Sequence, residues 1–131
     1  MLGGRIAQPL QKNMNRRAEI LRQLIRYEKP TEPLLRELKA FGWESKKGPL
    51  VILKKGDFLN ILDRFLGGEI TAAELQEWAW NLEVREDVAF DEDDEEVLES
   101  VLFGIANPAA NEPLTLEAVS KIRDELAEPE D

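Results

Sequence analysis

Residues 57–82 read DFLNILDRFLGGEITAAELQEWAWNL, and their spacing decides the fold class. Asp57 is a helix-capping residue type. Phe58, Leu59, Ile61, Leu62, Phe65 and Leu66 then share one face of a 3.6-residue repeat, with Asn60, Asp63 and Arg64 on the other. Gly67 and Gly68 follow, the residue type that ends a helix because it accepts a positive φ at no steric cost. Thr71-Ala72-Ala73-Glu74 is a capping box, in which the threonine hydroxyl and the glutamate carboxylate each satisfy one orphan backbone N–H. Ile70 and Leu75 can staple that start, and Leu75, Trp78, Ala79 and Leu82 continue a buried stripe. Two consecutive amphipathic helices with an explicit stop between them predict helix-on-helix packing.

The flanking segments extend this pattern. Asn13 to Tyr27 carries Ile20, Leu21, Leu24 and Ile25 at helical spacing, with Arg16, Arg22 and Arg26 off the stripe and Pro30 as a stop. Thr31 caps a second helix through Glu32 and Pro33; Leu34, Leu35, Leu38 and Phe41 form its stripe and Gly42 closes it. Lys46 to Pro49 is a turn, and Leu50 to Leu53 reads either as a short strand, pairing around Trp43, or as an extended connector. Asp91 to about Ala106 is a fifth helix with Val97, Val101 and Ile105 as its stripe, and Asn107-Pro108 breaks it. Thr115 caps a last helix bearing Leu116, Val119, Ile122 and Leu126, stapled by Leu114 against Val119. The expectation is a single helical domain over Met1 to Asp131, all-α or nearly so. It is a compact bundle of about five to six short helices, with frayed ends at about 1–11 and 129–131.

Composition narrows the function. The 131 residues are 43% hydrophobic and 34% charged, enough for one buried core. They include no Cys and no His, which removes thiol nucleophiles, disulfides, imidazole acid–base work and almost all zinc sites. Enzyme is the least expected class; no catalytic set, cofactor or metal site is expected. Met1 to Leu10 has no apolar core of signal-peptide length, and no stretch approaches the roughly 20 apolar residues that cross a bilayer. A cytoplasmic protein with no membrane partner is expected.

The net charge of −10 is split by sign. Met1 to Phe65 holds 14 basic and 7 acidic residues, and Leu66 to Asp131 holds 3 basic and 20 acidic ones, giving +7 and −17. Either the two halves pack on each other, or the acidic half faces solvent and steers a basic partner. Asp91, Glu92, Asp93, Asp94, Glu95 and Glu96 are the densest run. A calcium loop fails there, because its sixth position would be Glu96 in place of Gly and its twelfth Leu102 in place of Glu. Adjacent carboxylates also share one environment, which does not suit acid–base catalysis. The positive end of a helix accounts for two or three acids; the excess asks for solubility or a basic partner as a second cause.

Trp80 falls on the polar side of its helix, beside Gln76 and Glu77. Either the N-terminal helices cover it, or it is an aromatic anchor in an acidic patch. Phe103, off its own stripe, is assigned to the core. The candidate partner-binding residues are therefore Glu77, Trp80, Asp91, Glu92, Asp93, Asp94, Glu95, Glu96 and Glu99. Arg16, Arg17, Arg22 and Arg26, with Lys46, Lys47, Lys54 and Lys55, form the competing phosphate-binding set. The acidic half opposes nucleic acid at this domain size, within a Debye length of about 8 Å. Gly67-Gly68 lacks the Lys and Ser or Thr of a phosphate loop.

The helix with Leu62 and Phe65, then Gly67, Ile70, Trp78-Ala79, the acidic stretch after Phe90, and Leu98 to Phe103 leading into Ala106-Asn107-Pro108 are together similar to one family. Asp57 to Leu126 resembles small bacterial toxin-immunity proteins of the colicin D immunity type. The resemblance covers about half the chain and supplies core and turn residues but no catalytic motif. It implies an acidic helical protein that binds and blocks a basic nuclease toxin. The expected function is thus a non-enzymatic protein-binding module, an immunity or inhibitor protein. The alternative is a DNA-binding regulator or antitoxin that uses the basic helices, and a head-to-tail homo-oligomer is a further option.

Overall fold

The computed structural model describes residues 16–40, 50–109 and 113–128, which form six helices and one two-stranded sheet. Helix α1 covers residues 16–26 and α2 Thr31–Ala40. Strand β1 (Val51–Leu53), α3 (Lys55–Leu66), α4 (Ala72–Glu83) and β2 (Val88–Phe90) follow. A 3-10 turn at Glu92–Asp94 leads into α5 (Glu95–Ala106), and α6 is Leu116–Ala127. The Asn13 start of the first helix, the Phe41-Gly42 end of the second, the Lys46 to Pro49 turn, pairing at Trp43 and the two frayed ends lie outside the described residues.

The all-α-or-nearly-so expectation holds, with one correction to the strand. Val51–Leu53 does extend, but its partner is Val88–Phe90, in parallel, with Val51 opposite Val88 and Leu53 opposite Phe90. Parallel neighbours need a crossover of a dozen residues or more, and α3 with α4 provides it. The partner escaped the sequence reading because Val88-Ala89-Phe90 is three residues with one β-branched side chain, too short for a period of two to register.

The helix boundaries follow capping chemistry. Thr71 Oγ1 accepts from the Glu74 N–H at 3.1 Å while Glu74 Oε1 accepts from the Thr71 N–H at 2.8 Å, the expected reciprocal pair. Thr115 Oγ1 accepts from the Ala118 N–H at 3.0 Å. Asp57 is corrected: the cap of α3 is Lys54, and Asp57 stands one turn inside, its Oδ2 accepting from the Lys54 N–H at 2.9 Å. Lys55 and Gly56 carry no apolar signal, so the true start is hidden.

At the other end of α3 the Glu69 N–H returns to the Arg64 carbonyl at 2.8 Å and the Gly68 N–H to that of Phe65 at 3.0 Å. This is a Schellman motif with Gly68 at φ +82°. Helix α1 ends in the same way, before Pro30, but with Tyr27 at φ 52° in the position that favours glycine. Arg64 fixes that end: its Nη1 donates to the Arg26 carbonyl at 3.0 Å and the Tyr27 carbonyl at 2.6 Å, and its guanidinium lies over the Tyr27 ring.

The core lies among α1, α3, α4 and α5. Ile20, Leu21, Leu24, Phe58, Ile61, Leu62, Leu75, Trp78, Leu98 and Ile105 are all fully buried there. Phe58 and Trp78 meet edge to face, with ring centroids 5.6 Å apart. The Trp78 Nε1–H bridges the Leu24 and Ile25 carbonyls at 3.1 Å each, so the one polar atom of the largest core side chain is satisfied at the end of α1. Helix α6 packs on α3, where Arg123 Nε donates to Asp63 Oδ1 at 2.8 Å.

Candidate functional site

The acidic run folds into three environments. Asp91 caps the 3-10 turn, its Oδ1 accepting from the Asp93 N–H at 3.3 Å, so the fifth helix begins not at Asp91 but at Glu95. Six acids in a row resist one continuous helix, and the tighter turn lets the first of them serve as a cap. Asp94 is mostly buried and lies 4.0 Å from Lys55 Nζ at the start of α3. Glu92, Asp93, Glu95, Glu96 and Glu99 are exposed, and none of them forms an ion pair among the described residues. No three carboxylates converge to hold a metal ion among the described residues.

Helices α4 and α5 lie side by side and run in opposite directions. At one end Gln76 Nε2 donates to the Ala106 carbonyl at 3.5 Å; at the other, Glu83 shares a cleft with Glu96 and Glu99. The inward stripe of α5 is Leu98, Leu102, Ile105 and Ala106. This corrects the expected stripe by a rotation of one residue: Val97 is exposed, and its neighbour Leu98 is buried. The Val97-Leu98 and Val101-Leu102 pairs offer two overlapping stripes, and packing against α4 selects the leucines. Phe103 is corrected with it, standing 50% exposed on the outer face instead of in the core. Trp80 is 51% exposed, so the described N-terminal helices leave it open.

Two depressions mark the valley between α4 and α5. The first, about 510 Å³, lies where the valley meets the sheet, lined by Leu53, Val88 and Phe90 of the strands together with Leu82, Glu83, Arg85, Glu96, Glu99 and Phe103. The second, about 380 Å³, is bounded by Gln76, Trp80, Ala106, Asn107 and Pro108. Gln76, Trp80 and Glu83 are spaced four and three residues apart on α4, and Glu96, Glu99 and Phe103 three and four apart on α5. Each set is thus one helix face. From the Gln76–Ala106 contact, about 6 Å of rise forward along α4 to Trp80 and about 4.5 Å back along α5 to Phe103 run the same way in space, so the two residues stand at nearly the same level of the valley.

The one cation of the first depression is engaged elsewhere. Arg85 Nε and Nη2 donate to the two Asp87 carboxylate oxygens, each at 2.8 Å, and Arg17 Nη2 reaches Asp87 Oδ2 at 3.0 Å. Burial works against the Asp87 carboxylate, but the hydrogen bonds and charges of Arg85 and Arg17 outweigh it and hold its pKa below the usual aspartate value. Glu83, Glu96 and Glu99 form no ion pair among the described residues.

Among the candidate residues, Glu96 and Glu99 share the first depression, Trp80 lines the second, and Glu92, Asp93 and Glu95 extend the acidic surface at the start of α5. Asp91 and Asp94 serve the fold. Glu77 lies on the Tyr27 flank of α4. Burial first, then the charge and hydrogen bond of Glu74, then the charge of Glu77, raise the Tyr27 phenol pKa. Sequence reasoning missed Glu83 and Phe103. The signal for Glu83 was its place three residues after Trp80; for Phe103 it was its position off the apolar stripe.

The competing basic set is engaged in part, and Lys55 belongs to that part through Asp94. Arg16 pairs with Glu19 at 3.2 Å and Glu37 at 3.4 Å, Arg17 is buried on Asp87, and Arg26 lies 3.7 Å from Glu28. Arg22, Arg26 and Lys54 line one shallow pocket, and Lys46 and Lys47 lie outside the described residues. No helix among the described residues is long and apolar enough to cross a membrane. No model of a known family, no curated protein and no solved structure matches the chain.

Proposed function

We propose that this chain is a non-enzymatic, cytoplasmic binding module that captures a basic protein through the acidic surface of α4 and α5, in the manner of an immunity protein that neutralises a basic nuclease toxin. One observation carries the reading: Glu92, Asp93, Glu95, Glu96 and Glu99 crowd the start of α5, exposed and without cationic partners among the described residues. Like charges at this spacing repel, and the helix dipole offsets only the nearest of them. A cationic partner offsets the rest, and such a field speeds encounter well above the neutral rate. Resemblance to the colicin D immunity type supports the toxin as the partner's class.

The test is a pull-down with the tagged full chain from its native host at low salt, with bound protein and nucleic acid both quantified and elution repeated at high salt. A stoichiometric basic protein released by salt is expected. Purified, that protein should lose at least tenfold in affinity for the Glu95→Lys, Glu96→Lys double variant, and a nuclease activity in it should be inhibited by the wild-type chain. Recovery of DNA or RNA without protein, lost on Arg22→Glu with Arg26→Glu, would move the function to the basic helices. That alternative is disfavoured by the engagement of Arg16 and Arg17 with acids of the same chain.

A further inference from the structure

We propose that the valley between α4 and α5 docks one amphipathic helix of a basic partner, with an apolar residue seated between Trp80 and Phe103 and Lys or Arg side chains against Glu83, Glu96 and Glu99. The proposal rests on the acidic-capture reading and adds the surface and the shape of the partner's recognition element.

Three features of the valley converge. Two large aromatics on different helices stand half exposed at one level of it. Trp and Phe left in water gain by burial, and aromatic anchors dominate interface energies. The depressions lie on either side of that level, one acidic and one lined by Gln76, Asn107 and Pro108. Each helix has 12 residues, so the valley is about 18 Å long, which suits about three turns of a third helix packed along two antiparallel neighbours.

Charge complementarity selects the occupant. A second copy meeting this one valley to valley about a two-fold axis would set Glu83, Glu96 and Glu99 against their own counterparts. Nucleic acid and anionic lipid would meet the same repulsion. A cationic helix with an apolar stripe satisfies both the aromatics and the acids.

The probes are two amidated 18-residue peptides of identical Lys and Leu composition. One places Leu on a single helical face; the other is scrambled. Titration calorimetry with the full chain at 50 mM salt is expected to give at least tenfold tighter binding for the first peptide. Trp80→Ala and Phe103→Ala should each weaken it at least fivefold, and Glu96→Lys with Glu99→Lys at least tenfold, with unchanged circular dichroism. In nitrogen-15 spectra the Trp80 indole signal should move while that of buried Trp78 stays. Equal binding of both peptides, indifferent to Trp80→Ala and Phe103→Ala, would overturn the helix-docking proposal and leave acidic capture standing. No binding of either peptide, or a dimer by sedimentation that Trp80→Ala dissociates, would also overturn it. Acidic capture itself is then decided by the salt elution above.

Discussion

Arg17 on α1 donates from Nη2 to Asp87 Oδ2 at 3.0 Å across 70 residues of sequence, and the Asp87 side chain is only 2% exposed. This bond joins the basic half of the chain to the acidic half where β2 begins. The Asp87 carbonyl also accepts from the Leu50 N–H at 2.8 Å, so one residue orders the entry to both strands. The two halves therefore pack on each other at selected points: Arg17 with Asp87, Lys55 with Asp94, and Tyr27 with Glu74. The surplus acids remain on the outer faces of α4 and α5.

Removing the Asp87 charge leaves two guanidinium groups, both only 9% exposed, without their shared carboxylate. Asp87→Asn should destabilise the fold by about 3–5 kcal/mol, the cost of breaking a buried pair from one side. The shift in urea midpoint measures it, and a loss below about 1 kcal/mol would mean that other partners hold the two guanidinium groups.

The pH dependence has a definite sign. Asp87 and Glu74 both have folded pKa values lowered from their ordinary ones. For Glu74 the hydrogen bond from the Thr71 backbone N–H is the main cause, with burial opposing and Tyr27 assisting. Each contributes stability that is fully present above the unfolded carboxylate pKa of about 4 and is lost as pH falls through the lower folded value. The stability gap between wild type and Asp87→Asn should stay constant from pH 7 to about pH 5 and narrow below about pH 4. Urea titrations at each pH check it; a gap that widens in acid contradicts the clamp.

The sequence made the helices legible where cap and stripe agree, as at Thr71 with Leu75 and Trp78, because local hydrogen bonds and burial dictate the same boundary. Where the determinant is distant the cause was not legible, even though the end of α1 at Tyr27 was placed correctly. Tyr27 ends α1 in a conformation that a glycine would advertise, held by Arg64, 37 residues away. Val88–Phe90 becomes a strand through the backbone of Val51–Leu53, which no local pattern encodes. The acidic surface was readable from charge alone. Its pairing with Glu83 and Phe103 was not, because it depends on how α4 and α5 rotate against each other.

The two tryptophans of α4 should separate cleanly. Trp78 is fully buried and bonded to two carbonyls, whereas Trp80 is half exposed. Trp78→Ala should cost about 3–5 kcal/mol, and Trp80→Ala should stay within about 0.5 kcal/mol of wild type. Thermal and urea unfolding of the pair measure the contrast. Comparable losses would show that Trp80 is a core residue and remove it as an anchor.

Glycine to alanine should change sign with position. A Cβ at Gly104, inside α5, meets nothing within 4 Å, so Gly104→Ala should stabilise by about 0.5–1 kcal/mol through a less flexible unfolded chain. Gly68 has equal space but φ +82°, so Gly68→Ala should destabilise by about 1 kcal/mol or more. Denaturant midpoints of both variants decide it, and a stable Gly68→Ala would mean that the α3 end reorganises.

Asp93 and Asp94 are neighbours in sequence with different tasks, and charge reversal should expose the difference. Asp94 is mostly buried beside Lys55, so Asp94→Lys sets two ammonium groups together and should cost about 1 kcal/mol of stability. Asp93 is exposed and gives the fold only its backbone N–H, which donates to Asp91 and survives substitution, so Asp93→Lys should leave the unfolding midpoint nearly unchanged. If the acidic surface captures a cationic partner, Asp93→Lys should still weaken that complex, and more so at low salt, because its field is part of the attraction. Asp94→Lys would weaken binding partly through the fold. Measuring both quantities for both variants separates field from scaffold: an Asp93→Lys chain that is fully stable and binds its purified partner as well as wild type at 50 mM salt would place the docking surface away from the start of α5.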